Sequence, residues 1–271
     1  MADFNRLSEI WETNAEEDAM WAVLTDPKKT GQKWDRETFY RTGRNEIDAV
    51  FNYLLGQKLE VQTQGTALDF GCGVGRLTQA LAGRFTTAIG VDISQSMVDQ
   101  AKKNDQTNGK CEFVVNKKTD LSQFTDAQFI FIYSSIVLQH MDPSFASLYI
   151  KEFVRLLKPN GLLVFQIPDQ FIPPAVTLRE RYYQLRASLS LGTRLRRILG
   201  AAPKERSASV IEMNLLPEAK VRKLVSDVGG EVINVVHTNS TDSDFNGEIK
   251  FSTTPPKTGF VSNQYVVRKS R

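Results

Sequence analysis

A chain of 271 residues with 41% hydrophobic side chains is long enough for one large α/β domain with additions, and its formal charge of +3 says little about partners until it is localised. Residues 178–206 hold eight Arg or Lys against two Glu, so the basic character sits in one segment. Two cysteines, Cys72 and Cys111, exclude a disulfide framework, a zinc site and cluster-based radical chemistry. Met1 to Ile10 lacks a signal-peptide core and no long apolar run follows, so a cytoplasmic protein without a transmembrane segment is expected.

Residues 1–43 are aromatic and punctuated, with Trp11, Trp21, Trp34, Phe39 and Tyr40 around D-P-K-K-T-G-Q-K, and predict short helices and loops forming an N-terminal cap. Ile47, Val50, Phe51 and Leu54 recur at helical spacing over 44–55, with Gly56 as a stop. Strand-like runs at 67–70, 88–92, 112–115, 129–134 and 162–167 then alternate with helical ones. That alternation predicts a parallel sheet with helices on both faces, a doubly wound α/β domain over 44–271. L-K-P-N-G at 157–161 reads as the turn ending a helix. Residues 169–210 interrupt the pattern as an insertion in which Leu178, Tyr182, Leu185 and Leu189 keep helical spacing. A helix at 217–228 and apolar runs at 231–237 and 261–267 complete the chain.

The stretch from Thr66 to Asp92 carries the chemistry. Gly71, Gly73 and Gly75 follow an apolar run and open a helix, and Asp92 ends the next run. Glycines let backbone approach a ligand, and an acid about 20 residues on suits a ribose hydroxyl pair. The spacing is Gly-x-Gly-x-Gly with Asp69 just before it, whereas dinucleotide sites use Gly-x-Gly-x-x-Gly. A pyrophosphate wants an open helix N-terminus, while an ammonium and a sulfonium want oxygens and negative charge. S-adenosylmethionine is therefore favoured, with a nicotinamide dinucleotide as the alternative.

The segments L-D-F-G-C-G-V-G-R-L (68–77), G-V-D-I-S-Q-S-M (90–97), Y-S-S-I-V-L-Q-H-M (133–141) and L-K-P-N-G-L-L-V-F (157–165) resemble the class I S-adenosylmethionine-dependent methyltransferases over roughly residues 44–168. The resemblance implies a Rossmann-like seven-stranded sheet of order 3-2-1-4-5-7-6 with strand 7 antiparallel. It implies that Gly71, Cys72, Gly73 and Gly75 hold the methionine part, with Asp69 beneath the loop. Asp92 would accept the ribose hydroxyls, Ile93 and Met97 would flank adenine, and the Ser134 carbonyl would meet the ammonium. After strand 3 the chain departs from the commonest family pattern, with V-V-N-K-K-T-D-L at 114–121. Asn116 or Asp120 stands in for the usual acid at the adenine amino group, and Asn116 is preferred because an amide both donates and accepts.

Methyl transfer is an in-line displacement that mainly needs alignment of two reactants, and a base only if the nucleophile must lose a proton. His140, after strand 4, is the candidate base; the alternative is that it shapes a loop before the Asp142–Pro143 helix start. No N-P-P-Y or D-P-P-Y follows strand 4, no Pro-Cys nucleophile is present, and no acidic set suggests a metal. By resemblance, residues 1–43 and 169–210 build the acceptor pocket, with Trp34, Tyr40 and Arg179 as candidate contacts; Trp34 and Tyr40 equally suit stapling the cap to the sheet. The expected acceptor is a small molecule, phosphorylated or sugar-linked, methylated at oxygen as in a sugar or glycan. An RNA or protein methyltransferase and an inactive S-adenosylmethionine-binding module are the alternatives.

Overall fold

The computed structural model describes residues 2–174 and 213–270. Arg179 and most of the expected 169–210 insertion, its helical spacing included, lie outside the described residues.

Strands β1 (Thr66–Phe70), β2 (Thr87–Asp92), β3 (Cys111–Val115), β4 (Phe129–Ser134), β5 (Leu157–Ile172), β6 (Gly230–Thr238), β7 (Phe251–Ser252) and β8 (Gly259–Lys269) form one sheet of order β3-β2-β1-β4-β5-β8-β6-β7. The first five run parallel, and β8 lies antiparallel between β5 and β6. The expected order 3-2-1-4-5-7-6 is therefore present. The strand count is eight, not seven, because Phe251 and Ser252 pair with Thr238 and His237 and extend the edge. In the L-K-P-N-G turn, Leu157 pairs with Phe129 but Leu162 pairs with Phe131, so four residues loop out of the ladder.

Helices α1 (Ala2–Val23), α2 (Arg36–Gly56), α3 (Arg76–Ala82), α4 (Gln95–Lys103), α5 (Pro143–Leu156) and α6 (Glu218–Ser226) cover the sheet. Side chains alternate along β1: Leu68 and Phe70 pack toward α5 and α6, while Ala67 joins the core beneath α2 and α3. Two-sided burial accounts for the unbroken apolar runs.

The N-terminal segment differs from its sequence reading. In place of short helices and loops, α1 extends over 22 residues with one break at Asp18 (φ −160°, ψ 79°). The Asp18 carboxylate accepts from the Trp21 N–H at 3.3 Å and the Gln32 N–H at 2.6 Å, which turns the chain there. Helix α2 starts at residue 36 rather than 44, capped by Asp35 accepting from the Thr38 N–H at 2.9 Å. It crosses the expected cap boundary at 43 without interruption.

A buried ion pair clamps α2 to the sheet. Arg76 donates to Glu46 Oε2 at 2.8 Å, with side-chain exposures of 3% and 0%, and the Tyr133 hydroxyl donates to Glu46 Oε1 at 2.9 Å. Gly43 permits the contact, since a Cβ there would lie 2.4 Å from the Arg76 carbonyl oxygen. Removing one member of such a pair strands the other charge. Glu46→Leu is expected to lower unfolding free energy by about 3–5 kcal/mol in urea titrations; a loss under about 1 kcal/mol would show that the clamp is dispensable.

Candidate functional site

A cavity of about 310 Å³ opens at the carboxyl ends of the strands. Gly71, Cys72 and Gly73 form one wall, Asp92 and Ile93 the next, and Ser135, Ile136 and Val137 follow from β4. This is the switch point of the sheet, where β1 has β2 on one side and β4 on the other.

The glycine loop is built on the end of β2. The N–H groups of Gly71 and Cys72 both donate to the Val91 carbonyl, at 2.8 and 3.0 Å, and the Gly73 N–H donates to Asp92 Oδ2 at 2.8 Å. The Gly75 N–H turns back to the Cys72 carbonyl at 2.9 Å. Left-handed conformations at Gly71 (φ +77°), Gly73 (φ +51°) and Gly75 (φ +83°) make this folding possible. With these four N–H groups partnered inside the protein, the loop has no donors at these positions to offer a phosphate.

Asp92 has its other oxygen, Oδ1, on the Ser94 N–H at 2.9 Å. A carboxylate has about four acceptor positions, so a pair of hydroxyls can still bind. Burial raises its pKa, against the hydrogen bonds from Ser94 and Gly73, and the nearby Glu12 pushes in the same direction as burial. Ser94 caps α4 by accepting from the Met97 N–H at 3.1 Å, and Ile93 and Met97 line the cavity beside Asp92.

Asp69 lies beneath the loop, while several other expected contacts sit elsewhere. Asp69 is buried under the loop and accepts from the Thr78 hydroxyl at 2.6 Å; burial raises its carboxyl to about 7. Gly75 starts α3 and lies outside the cavity lining; a Cβ there would meet the Phe113 ring at 2.8 Å. The Ser134 hydroxyl donates to the Phe70 carbonyl at 3.1 Å, a bond that leaves its backbone carbonyl uninvolved, and the neighbouring Ser135 lines the cavity. Asn116 does line the cavity, but its amide N–H groups hold the Lys118 and Asp120 carbonyls at 3.1 and 3.0 Å and the Tyr149 hydroxyl at 3.3 Å. Its side chain therefore shapes the 116–121 turn. Asp120 lies outside the lining and accepts from the Ser122 N–H at 3.0 Å.

Trp34 and Tyr40 also lie outside the lining. Trp34 donates to the Leu24 carbonyl at 3.1 Å and Tyr40 to the Val74 carbonyl at 2.8 Å, so they brace cavity walls from behind. His140 lines the cavity, edge-on to Trp11 at 5.7 Å between ring centroids, with Nε2 at 3.2 Å from the Gln139 amide nitrogen.

Within the 1–43 segment expected at the pocket, the lining residues are not the ones named from sequence, and the wall segment 240–245 was not foreseen. Helix α1 roofs the cavity with Phe4, Leu7 and Trp11, whose spacing of three and four residues marks one helical face. It is docked by Glu12, which accepts from the Ser96 N–H at 3.1 Å and the Ser96 hydroxyl at 2.5 Å. Residues 240–245, after β6, add Ser240, Thr241, Asp242, Ser243 and Phe245. A polar run following a strand at the ligand-binding edge was the available signal.

Residues 68–165 match the family described as "Methyltransferase domain". Over 115 residues the chain is 33% identical to a 23S rRNA (uracil(1939)-C(5))-methyltransferase of Mannheimia succiniciproducens, covering 37% of this chain and 26% of that one. Over 121 residues it is 35% identical to a trans-aconitate 2-methyltransferase of Enterobacter sp., covering 43% and 45%. The chain thus spans half or less of the length of these curated relatives. The structure of phosphoethanolamine N-methyltransferase 1 from Haemonchus contortus, in complex with phosphoethanolamine and S-adenosylhomocysteine, superposes with a TM-score of 0.63 at 11% identity, over 99% of this chain and 49% of that one, and shares its fold.

Residues 68–165 thus match a methyltransferase domain, a family that uses S-adenosylmethionine. The site residues fit that cofactor: the glycine-loop N–H groups at 71, 72, 73 and 75 are taken up within the protein, and Asp92 retains acceptor capacity beside the apolar Ile93 and Met97. Among the described residues no group of His, Cys, Asp or Glu could hold a metal ion, and no helix is long and apolar enough to cross a membrane.

Losing two charge-assisted hydrogen bonds to ribose costs about 1.5–3 kcal/mol each. Asp92→Ala is therefore expected to weaken S-adenosylhomocysteine binding by about 100-fold or more in calorimetry, and a change under threefold would remove Asp92 from the site. Asp69 gives a pH signature. Its carboxyl is raised from 3.8 to about 7 in the fold, so folding takes up a proton between those values and stability falls as pH rises through them. Asp69→Asn lacks this loss, so its urea midpoint should gain on wild type from pH 4 to 8; a constant difference would contradict the assignment.

Proposed function

We propose that the chain transfers the methyl group of S-adenosylmethionine to a hydroxyl oxygen of a small polar acceptor of sugar or glycan type. The observation supporting the donor is the glycine loop, whose N–H groups at 71, 72 and 73 are taken up by Val91 and Asp92. When bound, the cofactor supplies a methyl group already activated by the sulfonium charge.

The chain's own residues then bind, enclose and deprotonate. Asp92 accepts the ribose hydroxyls, and Ile93 and Met97 flank the adenine. Phe4, Leu7 and Trp11 on α1 shed water from the cavity, which strengthens polar interactions inside it. The acceptor lies against Ser240, Thr241 and Ser243, whose hydroxyls match a polyhydroxylated molecule, with Trp11 as an apolar face.

An alcohol must lose its proton as the oxygen–carbon bond forms. On the acceptor side, Asp242 is the carboxylate among the described lining residues, and burial and then Asp244 raise its pKa. That shift makes it a stronger base than an ordinary aspartate, and we assign it the proton. His140 has Nε2 engaged with Gln139 and shapes the wall instead. A cytoplasmic setting agrees with two unpaired cysteines.

Incubating the protein and methyl-labelled S-adenosylmethionine with fractionated cell extract should place label in small hydroxylated compounds as an ether. With the labelled acceptor in hand, Asp242→Asn should lower kcat by about 10²–10⁴-fold. Label confined to RNA or protein would overturn the acceptor class, and a kcat within fivefold of wild type would overturn the role of Asp242.

A further inference from the structure

Behind the cavity wall lies a buried polar relay centred on Gln166, which is 2% exposed on β5. Gln166 Oε1 accepts from the Ile136 N–H at 3.1 Å. Its Nε2 donates to Gln139 Oε1 at 3.0 Å and to the Ser262 hydroxyl at 2.9 Å. From Gln139 the first branch continues to His140 Nε2 at 3.2 Å. The second runs from Ser262 to the Thr238 hydroxyl at 2.9 Å and from Thr238 to the Ser240 hydroxyl at 3.0 Å. Both ends, His140 and Ser240, line the cavity.

The direction of the amide bonds follows from their origin. A backbone N–H can only donate, so the Gln166 atom facing Ile136 must be the oxygen, and the nitrogen must face Gln139 and Ser262. Gln139 then receives on its oxygen and presents its own N–H to His140, whose Nε2 must be an unprotonated acceptor. A neutral imidazole has one protonated nitrogen, so the proton sits on Nδ1. On the second branch a hydroxyl that accepts from one neighbour can still donate or accept at the next; donation from Ser262 to Thr238 and from Thr238 to Ser240 is the arrangement in which each of these two buried hydroxyl hydrogens has an acceptor. The Ser240 hydroxyl hydrogen is left for the cavity.

Ile136 shows how firmly the origin is held. It adopts φ +61°, a left-handed conformation that a β-branched residue takes only at a cost of about 1–3 kcal/mol. The turn it belongs to touches the cofactor loop, since a Cβ on Gly71 would meet Val137 Cγ2 at 2.2 Å. The bond from the Ile136 N–H to Gln166 thus ties the strained turn to the relay.

We infer that Gln166 is a positioning residue: it keeps His140 a neutral imidazole protonated on Nδ1 and turns the Ser240 hydroxyl outward as a donor to an oxygen of the bound acceptor. What the two ends do for a substrate rests on the methyl-transfer reading; the direction of the relay does not. Protonating His140 on Nε2 would set two N–H groups against each other, so its basic lone pair is occupied by structure. Gln166→Glu reverses the relay, because a carboxylate accepts from Ile136 but cannot donate onward. Gln139 then rotates to face His140 with its oxygen, and the hydroxyl protons of the second branch point back toward residue 166.

The chain has two histidines, His140 and His237, so nitrogen-15 labelling of histidine rings gives two spectral patterns, assigned with His237→Gln. At pH 8 wild type should show His140 protonated on Nδ1 and bare on Nε2. Gln166→Glu should move that proton to Nε2. Should this variant fail to fold, Gln139→Leu removes the donor facing His140 and should also shift the ring toward the Nε2–H form. A proton on Nε2 in wild type, or a His140 pattern that neither folded variant changes, would overturn the inference. Calorimetry of S-adenosylhomocysteine on the same wild-type sample tests the donor reading separately, so either can fail without the other.

Discussion

The end of β2 is the constraint on which the site depends. A carbonyl at Val91 and a carboxylate at Asp92 together take three successive N–H groups of the glycine loop. That capture fixes the loop's path and leaves α3 to start at Arg76, where Arg76 can reach Glu46. The same carboxylate binds the Ser94 N–H and so sets the start of α4, onto which Glu12 docks the α1 roof. One acidic side chain thereby links the loop, two helices and the lid of the cavity. Its buried charge is tolerated because backbone donors hold it, and acceptor positions remain on it for a ligand.

The polar groups of this domain are unevenly spread. The strands are apolar along most of their length, while Gln139, Gln166, Thr238, Ser240 and Ser262 are buried together near the carboxyl edge. Buried amides and hydroxyls are costly unless each finds a partner, and a connected set rigidifies what it touches. The wall opposite the glycine loop is accordingly set by directional bonds, whereas the α1 roof is set by apolar packing of Phe4, Leu7 and Trp11.

What the sequence made legible was local. The glycine loop and Asp92 could be read because the residues concerned lie within one strand–turn–helix–strand unit whose spacing encodes its geometry, whereas the strand order followed only from the family resemblance. Asn116 showed the limit of that method: its position was right, but its amide is consumed by the turn that follows. Trp34 and Tyr40 allowed two readings from sequence, closing over the site or stapling the cap to the sheet, because an aromatic side chain serves either; each spends its polar atom on a backbone carbonyl behind the wall. Ser240 to Phe245 were missed because β6 pairs with β8, so their place at the cavity is fixed by long-range pairing. The helical face of α1 was hidden by the Asp18 break and the punctuation after it.

A glycine loop whose N–H groups at 71, 72, 73 and 75 are taken up internally, facing Asp92, suits a sulfonium nucleoside over a dinucleotide. Parallel calorimetric titrations of the wild-type chain with S-adenosylhomocysteine and with NAD test it most directly. Saturable one-site binding of S-adenosylhomocysteine with no detectable heat from NAD is the predicted result; NAD binding as tight as or tighter than S-adenosylhomocysteine would contradict it.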